Sequence, residues 1–312
     1  MKKLFSVVVT VYNNELNLPV TIPYFLKKSE KFLENFELEF IFVNDGSLDD
    51  SLHILKEYQI TYPKLIKIIN FTRNFGQVNA MMAGFQYAKG DVVGYITSDM
   101  QDPIELFNDM LSEWSRGIKL VIATREKRNE KGIGIIFSKL THYFVNKTID
   151  KKFPKGGYDF FLMDRVVVNK IVEINEKNGQ PSILLLWLGF DYKIISYIRK
   201  KRDIGKSSWT FSNKVKLLID IFTTNTYLPL RAISIIGIFS SFFSLFFGLA
   251  VILQWLFIDI EVKGWTSLVL IQVFFSGLIM FSLGIIGEYL WRIFDYLKGR
   301  PNYIVDEIID ES

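Results

Sequence analysis

A cluster of oxygen-bearing side chains follows an apolar run in the stretch Gly90 to Pro103, which reads Gly-Asp-Val-Val-Gly-Tyr-Ile-Thr-Ser-Asp-Met-Gln-Asp-Pro. The apolar run, Val92 to Ile96, predicts a buried strand. Four polar residues lie at the carboxyl end of that strand: Thr97, Asp99, Gln101 and Asp102. Ligands bind outside the carboxyl ends of strands in open α/β sheets, and oxygen ligands there suit Mg²⁺ or Mn²⁺ that hold substrate phosphates. The alternative is an ordinary helix start, with Asp102 as its N-cap and Pro103 in its first turn.

Strands and helices are predicted to alternate on both sides of this stretch. Apolar runs predict further strands at 4–11, 38–43, 65–71 and 120–123. Helices are predicted between the strands, at 19–34, from 49 to about 58, from 77 to 88 and from 103 to about 114. This alternation indicates an α/β fold with a doubly wound, mostly parallel sheet. Polar clusters at Tyr12, Asp45, Arg73 and Asp99 follow strands, so one edge of the sheet is expected to collect them.

The composition and the glycine pattern exclude several other kinds of site. The chain has no cysteine, which rules out disulfides, zinc-thiolate sites and thiol nucleophiles. Its formal net charge of +4 is too small to indicate a nucleic-acid partner. No Gly-x-x-x-x-Gly-Lys-[Ser/Thr] loop occurs, and Gly132-Ile-Gly134 lacks both a preceding strand and a third glycine. A bound nucleotide is therefore expected to be held by side chains and a metal ion.

Two further polar segments each admit two interpretations. Residues 125–131 are strongly charged and form either a solvated loop or a mobile lid. Residues 155–165 include Gly156 and Gly157, which permit a tight backbone beside a ligand. Asp159 follows them and is surrounded in sequence by aromatic residues. Asp159 is either a structural turn residue or a catalytic carboxylate.

The carboxyl-terminal third has the composition of a membrane segment. Residues 199–216 are mostly basic or polar. Four apolar residues recur at helical spacing from the end of this segment onwards: Phe211, Val215, Leu218 and Phe222. This spacing predicts an amphipathic helix in a membrane interface, with a buried core helix as the alternative. Two uncharged spans follow, 232–258 and 265–287, and each is longer than the roughly 20 residues that cross a bilayer.

The charges that flank these spans predict how the chain crosses the membrane. The link between the spans, 259–264, is short and slightly acidic, whereas basic residues flank them on the outside: Lys214, Lys216, Arg231, Arg292, Lys298 and Arg300. The positive-inside rule then makes both termini and the amino-terminal domain cytoplasmic. The predicted organisation is a cytoplasmic α/β domain at 1–198, a basic amphipathic interface segment at 199–228, a two-helix transmembrane hairpin within 229–291, with helices at about 232–258 and 265–289, and a cytoplasmic tail at 292–312.

Five polar segments together resemble the GT-A glycosyltransferases of family 2. They are Val-Tyr-Asn-Asn-Glu at 11–15, Val-Asn-Asp-Gly-Ser at 43–47, Arg-Asn-Phe-Gly-Gln at 73–77, Ser-Asp-Met-Gln-Asp-Pro at 98–103 and Gly-Gly-Tyr-Asp-Phe-Phe-Leu-Met-Asp-Arg at 156–165. Within that family the chain is similar to the polyisoprenyl-phosphate glycosyltransferases, which include the bacterial bactoprenol glucosyltransferases and the related dolichyl-phosphate mannose synthases. Four further segments extend the resemblance over nearly the whole chain: Trp-Leu-Gly-Phe at 187–190, Arg202-x-x-Gly205-x-Ser207, Gly-Glu-Tyr-Leu at 287–290 and Arg300-Pro-x-Tyr303.

The resemblance implies an enzyme that transfers a sugar with inversion. Its donor would be a nucleotide-sugar such as UDP-glucose or UDP-GlcNAc, and its acceptor would be undecaprenyl phosphate. The protein would also bind the membrane, and no nucleic-acid partner is expected. A homo-oligomer is compatible with the resemblance. The protein would be a multi-pass protein of the bacterial inner membrane, and its lipid-linked product would serve the modification of cell-envelope glycans.

The resemblance also implies roles for single residues. The donor would be held by a set of polar side chains: Thr10, Tyr12, Glu15, Asp45 and Asp99. Asp99 and Gln101 would bind Mg²⁺ or Mn²⁺ on the diphosphate, and Asp159 would act at the reaction centre. Arg202 would also act there by gripping the phosphate of the lipid, and three further residues are candidates for binding the same phosphate, namely Ser207, Arg125 and Arg128.

One position departs from the family pattern. The family usually has Asp-x-Asp before the Gln, and here Thr97 occupies the first Asp position. The change removes one anionic ligand, which predicts weaker metal binding or an altered choice of donor. It also leaves a second function open, namely a catalytically impaired membrane scaffold or binding protein on a GT-A fold.

Overall fold

The computed structural model of the chain describes residues 2–126, 146, 154, 158–174, 176, 179–198, 228–257 and 264–311. The chain divides into two compact units, one formed by Met1–Leu218 with Pro301–Ser312 and the other by Ile219–Arg300. The first unit is an α/β domain, and the second is helical. The basic interface segment predicted at 199–228 lies outside the described residues except for its last residue, so its structure stays a prediction.

An eight-stranded sheet forms the centre of the α/β unit. Its strands are β1 (Lys3–Val11), β2 (Phe36–Asn44), β3 (Ile66–Phe71), β4 (Val92–Thr97), β5 (Leu120–Arg125), β6 (Phe160–Asp164), β7 (Tyr192–Tyr197) and β8 (Val305–Ile309). Their order in the sheet is β7-β5-β6-β4-β1-β2-β3-β8. β6 runs antiparallel to β4 and β5, β8 runs antiparallel to β3, and the other paired strands are parallel. The predicted α/β class with a mostly parallel sheet is confirmed.

Helices cover both faces of this sheet. They are α1 (Leu18–Ser29), α2 (Ser51–Thr61), α3 (Gln77–Tyr87), α4 (Leu106–Ser115), α5 (Arg165–Ile174) and α6 (Pro181–Trp187). Val7 and Val9 of β1 share a buried cluster with Phe25 of α1 and Phe107 of α4. Val8 belongs to a second buried cluster, which includes side chains of α3 and α5. Because alternate side chains of a strand point to opposite faces, a strand covered on both faces has the continuous apolar sequence seen here.

Aromatic packing fixes the strand that leads to the acidic cluster. Gly94, in the middle of β4, leaves no room for a side chain, since a Cβ there would lie 2.4 Å from the ring of Phe107. The Phe107 ring packs edge-on against Phe5 of β1 and Phe160 of β6, with centroids 5.2 Å and 4.8 Å apart. These contacts hold β4 between its two neighbours and so set the position of the residues that follow it.

Several predicted element boundaries are wrong. The helix predicted from residue 103 begins at Leu106, and its N-cap residue is Glu105 instead of Asp102. The first helix ends at Ser29, and a separate 3₁₀ turn at Phe32–Glu34 follows it. Strands β6, β7 and β8 have no counterpart in the sequence-based expectation: β6 and β8 are only 5 residues long, and β7 and β8 are partly exposed.

The helical unit contains two long helices, α7 (Leu228–Phe257) and α8 (Trp265–Leu297), of 30 and 33 residues. Among the residues that the structure describes, one helical stretch, Ile271–Leu297, is long and apolar enough to cross a membrane, and a shorter apolar stretch lies at Leu230–Ser240. At about 1.5 Å per residue, both helices are longer than the roughly 30 Å of a hydrocarbon core. The two-helix hairpin stays a prediction, because its connection at 258–263 lies outside the described residues.

The chain returns to the α/β unit after α8. The sequence predicts only a cytoplasmic tail here, but Val305–Ile309 form β8 at the edge of the sheet, with Ile308 opposite Ile69 of β3. Asp306 and Glu307 interrupt the apolar pattern that marks the inner strands, and charged residues are common in edge strands. The sequence signal for this strand is therefore weak.

Candidate active site

Loops with polar residues follow the carboxyl ends of the parallel strands at one edge of the sheet. β1, β2, β3 and β4 run in the same direction, so the loops after them leave the sheet on the same side. Two non-glycine residues in these loops have a left-handed backbone, Asn13 with φ of 46° and Met100 with φ of 56°. Such conformations are uncommon outside glycine and are found often at functional sites. The contacts around both loops must therefore hold them in shape.

The loop after β4 folds around Asp99. The hydroxyl of Thr97 donates a hydrogen bond to Asp99 Oδ1 at 2.8 Å, and the backbone N–H of Gln101 lies 3.3 Å from the same oxygen. The left-handed turn at Met100 brings Gln101 back towards Asp99. Thr97 stands where the resemblance predicts an acid, and it supports Asp99 as a hydrogen-bond donor instead of adding a negative charge.

Asp102 in the same loop points inward and is 1% exposed. Its Oδ1 accepts a hydrogen bond from the hydroxyl of Tyr197 at the end of β7, and its Oδ2 lies 3.5 Å from the hydroxyl of Thr97. Burial, followed by the charge and the hydrogen bond of Asp102, raises the pKa of Tyr197, so the phenol stays protonated and donates. Asp102 thus joins β7 to the loop after β4, and it does not cap α4.

Asp159 pairs with Arg125, and Arg125 also meets Tyr197. Arg125 Nη2 lies 3.1 Å from Asp159 Oδ2, with the arginine side chain 16% exposed and the aspartate side chain 59% exposed. The same guanidinium forms a hydrogen bond with Tyr197. A continuous row of six side chains therefore joins the two candidate acids, and we refer to it as the acidic row: Asp159, Arg125, Tyr197, Asp102, Thr97 and Asp99.

A buried tyrosine lies near both ends of the acidic row. Tyr95 of β4 is fully buried, and its hydroxyl lies 3.0 Å from Thr10 Oγ1 and accepts a hydrogen bond from Gln77 Nε2 at 2.8 Å. Burial raises the pKa of Tyr95, the bonds with Thr10 and Gln77 lower it, and the charges of Asp159 and Asp99 add to the rise. The side chain of Thr10, a candidate for donor binding, therefore contacts the core tyrosine.

The loops after β1 and β2 are joined by hydrogen bonds between side chains and backbone. Four such bonds connect them: Asn13 N–H to Ser47 Oγ at 2.9 Å, Leu48 N–H to Asn13 Oδ1 at 2.9 Å, Asp50 N–H to Glu15 Oε2 at 3.0 Å and Glu15 N–H to Asp49 Oδ2 at 3.0 Å. Glu15, a candidate for donor binding, takes part in two of them. Tyr12, another candidate, is 48% exposed in the same loop.

Asp45 follows β2 and is 3% exposed. Its carboxylate accepts hydrogen bonds from the backbone N–H groups of Phe75 at 2.7 Å and Gly76 at 2.9 Å, just before α3 begins. Burial raises the pKa of Asp45, and these two hydrogen bonds partly offset the rise. A carboxylate is stabilised at a helix N-terminus, where N–H groups lack intrahelical partners. Asp45 therefore holds the loop after β3 against the loop after β2.

Oxygen donors in the loop after β4 suit a hard divalent cation. Asp99 offers a carboxylate and Gln101 an amide oxygen, and the acidic row sets three carboxyl groups against one guanidinium. Within the described part of the chain, no group of three or more His, Asp or Glu side chains is placed to hold a metal ion by itself. Mg²⁺ is commonly held by one or two carboxylates together with substrate phosphates. Asp99 and Gln101 therefore fit a divalent cation whose remaining ligands would be oxygen atoms of a bound diphosphate.

Several residues that the sequence predicts for the site lie in this region, and two residues that the sequence does not single out lie here as well. Arg128, Arg202 and Ser207 lie outside the described residues, so their roles stay predictions. The structure brings in Tyr197 and Tyr95, which the sequence does not single out. Tyr95 lies inside an apolar run, and Tyr197 reaches Asp102 only because β7 pairs with β5 in the sheet. No spacing in the sequence gives that pairing.

Comparisons with known proteins agree on one family. The profile of Glycosyl transferase family 2 matches residues 6–172. The chain is 38% identical over 307 residues to "Uncharacterized glycosyltransferase YkcC" of Bacillus subtilis (strain 168), covering 97% of this chain and 93% of that protein. It is 33% identical over 305 residues to "SfII prophage-derived bactoprenol glucosyl transferase" of Shigella flexneri, covering 96% of each.

A solved structure shares the fold of the α/β unit. Mannosyl-3-phosphoglycerate synthase from Rubrobacter xylanophilus superposes with a TM-score of 0.51 at 14% identity, over 70% of this chain and 71% of that chain. At this identity the similarity concerns the fold alone.

Proposed function

Because the chain belongs to glycosyl transferase family 2, we propose that it transfers glucose from UDP-glucose to a polyprenyl phosphate such as undecaprenyl phosphate. One observation carries the proposal: the 33% identity to a bactoprenol glucosyl transferase extends over 96% of both chains, which includes the helical unit. A polyprenyl carrier requires a protein that works at a membrane, and Ile271–Leu297 is long and apolar enough to span one. UDP-GlcNAc is the second donor to be tested.

The loops after β1, β2 and β3 would hold the nucleotide part of the donor. Tyr12 is exposed enough to contact a base, and Glu15 lies in the same loop. Asp45 and Thr10 are buried and already hydrogen-bonded, so their main contribution is to fix the loops and the floor beneath the donor. Asp99 and Gln101 would hold Mg²⁺ or Mn²⁺ against the diphosphate. When bound there, the ion supplies positive charge that stabilises the departing diphosphate.

Transfer would be a single displacement at the anomeric carbon. An oxygen of the lipid phosphate attacks that carbon, the bond from the carbon to the diphosphate oxygen breaks, and its electron pair leaves with UDP. A phosphate monoester has a second pKa of about 6, so the attacking oxygen is largely anionic at neutral pH and no strong base is required. Asp159 would therefore act by orienting Arg125, which lies 3.1 Å away. An α-linked donor would give a β-linked product.

The lipid phosphate would be bound by arginine side chains next to the acidic row. Arg125 is mostly buried and paired on one side with Asp159, so its planar guanidinium is held in a defined orientation. Arg128, Arg202 and Ser207 are proposed for the same phosphate on the resemblance alone. Tyr197 ends β7 five residues before Arg202 and would anchor the start of the basic segment that contains it.

Both ends of the helical unit would lie on the cytoplasmic side of a bacterial inner membrane. Residues 301–312 belong to the same compact unit as the amino-terminal part of the chain, and β8 pairs with β3 in its sheet. A segment that leaves a folded domain and returns to it must cross a membrane an even number of times. This supports the two-helix hairpin, with the link at 259–264 outside. A cysteine replacing Lys263 should react with an impermeant reagent added outside, and one replacing Asn302 should not.

The rival function is a binding or scaffold protein without transferase activity. The observation in its favour is that Thr97 supplies a hydroxyl where the family pattern has a carboxylate. Such a protein would bind a nucleotide-sugar and leave it intact.

The test is a donor screen on purified full-length protein in detergent with Mg²⁺ or Mn²⁺. UDP-glucose and UDP-GlcNAc are each mixed with undecaprenyl phosphate, and the lipid product is identified by mass. We expect one hexose to be added from UDP-glucose. Binding of the donor without any sugar on the lipid would support the scaffold and contradict the transferase.

A further inference from the structure

The carboxyl-terminal strand contacts the α/β unit through many side chains as well as its ladder. Contacts of the strand and of the residues next to it include the ion pairs Lys67–Asp310 at 2.8 Å and Lys56–Glu307 at 2.7 Å, the stacked rings of Phe71 and Tyr303 at 4.9 Å, and the hydrogen bond from Thr72 N–H to Ile304 O at 3.2 Å. The last two contacts lie next to the loop after β3, whose Phe75 and Gly76 amides bind Asp45. This strand therefore reaches the edge of the sheet that carries the candidate active site.

A β-bulge in this strand sends two adjacent acids to different partners. Asn70 lies opposite Glu307 and Phe71 lies opposite Val305, so Asp306 is the extra residue between them. Bulges commonly redirect a side chain. Asp306 Oδ2 accepts a hydrogen bond from Asn70 Nδ2 at 3.2 Å, whereas the Glu307 carboxylate binds a lysine of α2. Asp306 is thus connected to the end of β3 and Glu307 to the outer surface.

Further hydrogen bonds link Asn70 to the loops after β2 and β1. Its Oδ1 accepts a hydrogen bond from Asn44 Nδ2 at 2.8 Å, and Asn44 Oδ1 accepts one from Ser47 Oγ at 2.5 Å. Ser47 Oγ in turn accepts a hydrogen bond from the backbone N–H of Asn13 at 2.9 Å. We refer to these five residues as the amide row: Asp306, Asn70, Asn44, Ser47 and Asn13. Asn44 and Asn70 are only 1% and 7% exposed, so water has little access to replace their bonds.

Asp306 fixes which group donates and which accepts in each hydrogen bond of the amide row. A carboxylate only accepts hydrogen bonds, so Asn70 must turn its Nδ2 to Asp306 and its Oδ1 to Asn44. Asn44 must then turn its Nδ2 to Asn70 and its Oδ1 to Ser47. The hydroxyl hydrogen of Ser47 is used in that bond, which leaves its oxygen to accept from the Asn13 amide. If Asp306 is removed, both side-chain amides can rotate, and the acceptor for Asn13 is no longer fixed.

We propose that the carboxyl-terminal strand supports the donor site through Asp306, which is a positioning residue for the loops that hold the nucleotide. The identity of the donor rests on the function proposed above. Asn13 belongs to the loop that carries Tyr12 and Glu15, so the amide row reaches the residues that would contact the base and the ribose. Because β8 follows α8 in the chain, the same strand connects the end of the candidate membrane helix to the nucleotide loops.

The steady-state test compares Asp306→Ala with Glu307→Ala, which removes the neighbouring acid of the same strand. Asp306→Ala is expected to raise KM for UDP-glucose about threefold to tenfold, the usual effect of one hydrogen bond, with kcat and KM for undecaprenyl phosphate unchanged. Glu307→Ala should leave all three constants unchanged. Asp306→Asn keeps an acceptor oxygen and should restore most of the donor affinity, whereas Asp306→Lys, which only donates, should not.

Hydrogen exchange on the full-length protein without ligand tests the amide row apart from activity. We expect faster exchange of the Asn13 and Leu48 amides in Asp306→Ala but not in Glu307→Ala. Equal exchange in the two variants, or an equal rise of KM for donor and lipid, would overturn the proposal. If the wild-type protein made no glucosyl lipid, the proposed function would fail, and the exchange rates would still decide whether Asp306 positions the loop.

Discussion

The acidic row and the amide row lie at the same edge of the sheet, but they are built from different contacts. All members of the acidic row except Thr97 are ionisable, and they include one guanidinium and three carboxyl groups. The amide row joins uncharged amides, a hydroxyl and a backbone N–H, and only its first member is an acid. Interactions between partly buried charges change greatly when one charge is lost, whereas a neutral network mainly loses its geometry. The first arrangement suits a step in which charge moves, and the second suits holding a ligand in place.

This difference predicts different kinetic effects. A residue that acts only when charge develops should lower kcat when it is removed. A residue that shapes the binding loops should raise KM for the donor and leave kcat nearly unchanged. Variants of the two rows should therefore differ in which kinetic constant changes, and a variant that changes the wrong constant would contradict this separation.

Asp99→Asn should have the largest effect. It keeps the size of the side chain but removes the negative charge that would hold the metal ion against the diphosphate. We therefore expect the initial rate of lipid glucosylation to fall about a hundredfold or more. Excess chelator should inhibit the wild-type protein to a similar degree. Asp109→Asn, an exposed acid on α4, is the matched control and should be silent. Full activity of the wild-type protein in chelator would contradict a role for the metal ion.

Tyr197→Phe should lower kcat about tenfold without changing KM for UDP-glucose. The change removes the hydroxyl that donates to the buried Asp102 carboxylate and contacts Arg125, so both ends of the acidic row lose support. We expect the free energy of unfolding to fall by about 1–3 kcal/mol, measured by denaturant titration. Tyr62→Phe, at the end of α2, serves as the surface control. A rise in KM for UDP-glucose with normal kcat would contradict this prediction and show that Tyr197 supports donor binding instead.

Ser47→Ala should raise KM for UDP-glucose about threefold to tenfold and leave kcat nearly unchanged. It removes both the donor to Asn44 and the acceptor for the Asn13 amide in the middle of the amide row. Ser112→Ala on the exposed surface of α4 is the matched control. A fall in kcat with normal donor KM would contradict the separation between the two rows.

Asp310→Asn should affect stability and hardly affect transfer, because Asp310 lies next to the carboxyl-terminal strand but in neither row. A hydrogen bond from Lys67 lowers the pKa of Asp310 below its ordinary value of 3.8. Its contribution to stability is therefore present above that ordinary value and is lost as the pH falls through the lowered pKa. At neutral pH the variant should be about 1–3 kcal/mol less stable, because the buried Lys67 loses its charged partner.

Denaturant titrations of the wild-type and Asp310→Asn proteins between neutral and acid pH measure this difference. The gap between the two should narrow as the pH falls below the ordinary value of 3.8. A constant gap over the whole range would show that the ion pair with Lys67 does not stabilise the fold.

The inner strands and the loops after them could be predicted from sequence because they are continuous apolar runs that end in polar residues. β1, β2 and β4 are buried on both faces, and strands buried in this way have mostly apolar sequences that can be recognised without the structure. The sequences of β6, β7 and β8 give little indication of a strand, since β6 has only 5 residues and β7 and β8 are partly exposed. Their places in the sheet depend on pairing with strands far away in the chain.

Candidate site residues differ in the same way in how far their sequence context points to them. Asp99 and Asp159 lie in polar segments with recognisable order and spacing. Tyr197 and Asp306 become visible only when β7 and β8 take their places, because each acts on a residue that is distant in sequence, Asp102 and Asn70. The interpretation of Asp102 as a helix cap is wrong for a related reason, since its partner comes from another strand.

The anomeric configuration of the lipid product is the measurement that tests the proposed transfer most directly. The proposed mechanism has one displacement by the lipid phosphate, with Asp159 orienting Arg125 and forming no bond to the sugar. It predicts that UDP-glucose, which is α-linked, gives β-linked glucosyl phosphate on undecaprenol, as read from the anomeric proton coupling by nuclear magnetic resonance. An α-linked product would require a second displacement or another path, and it would contradict the assignment of Asp159 and the single-step mechanism.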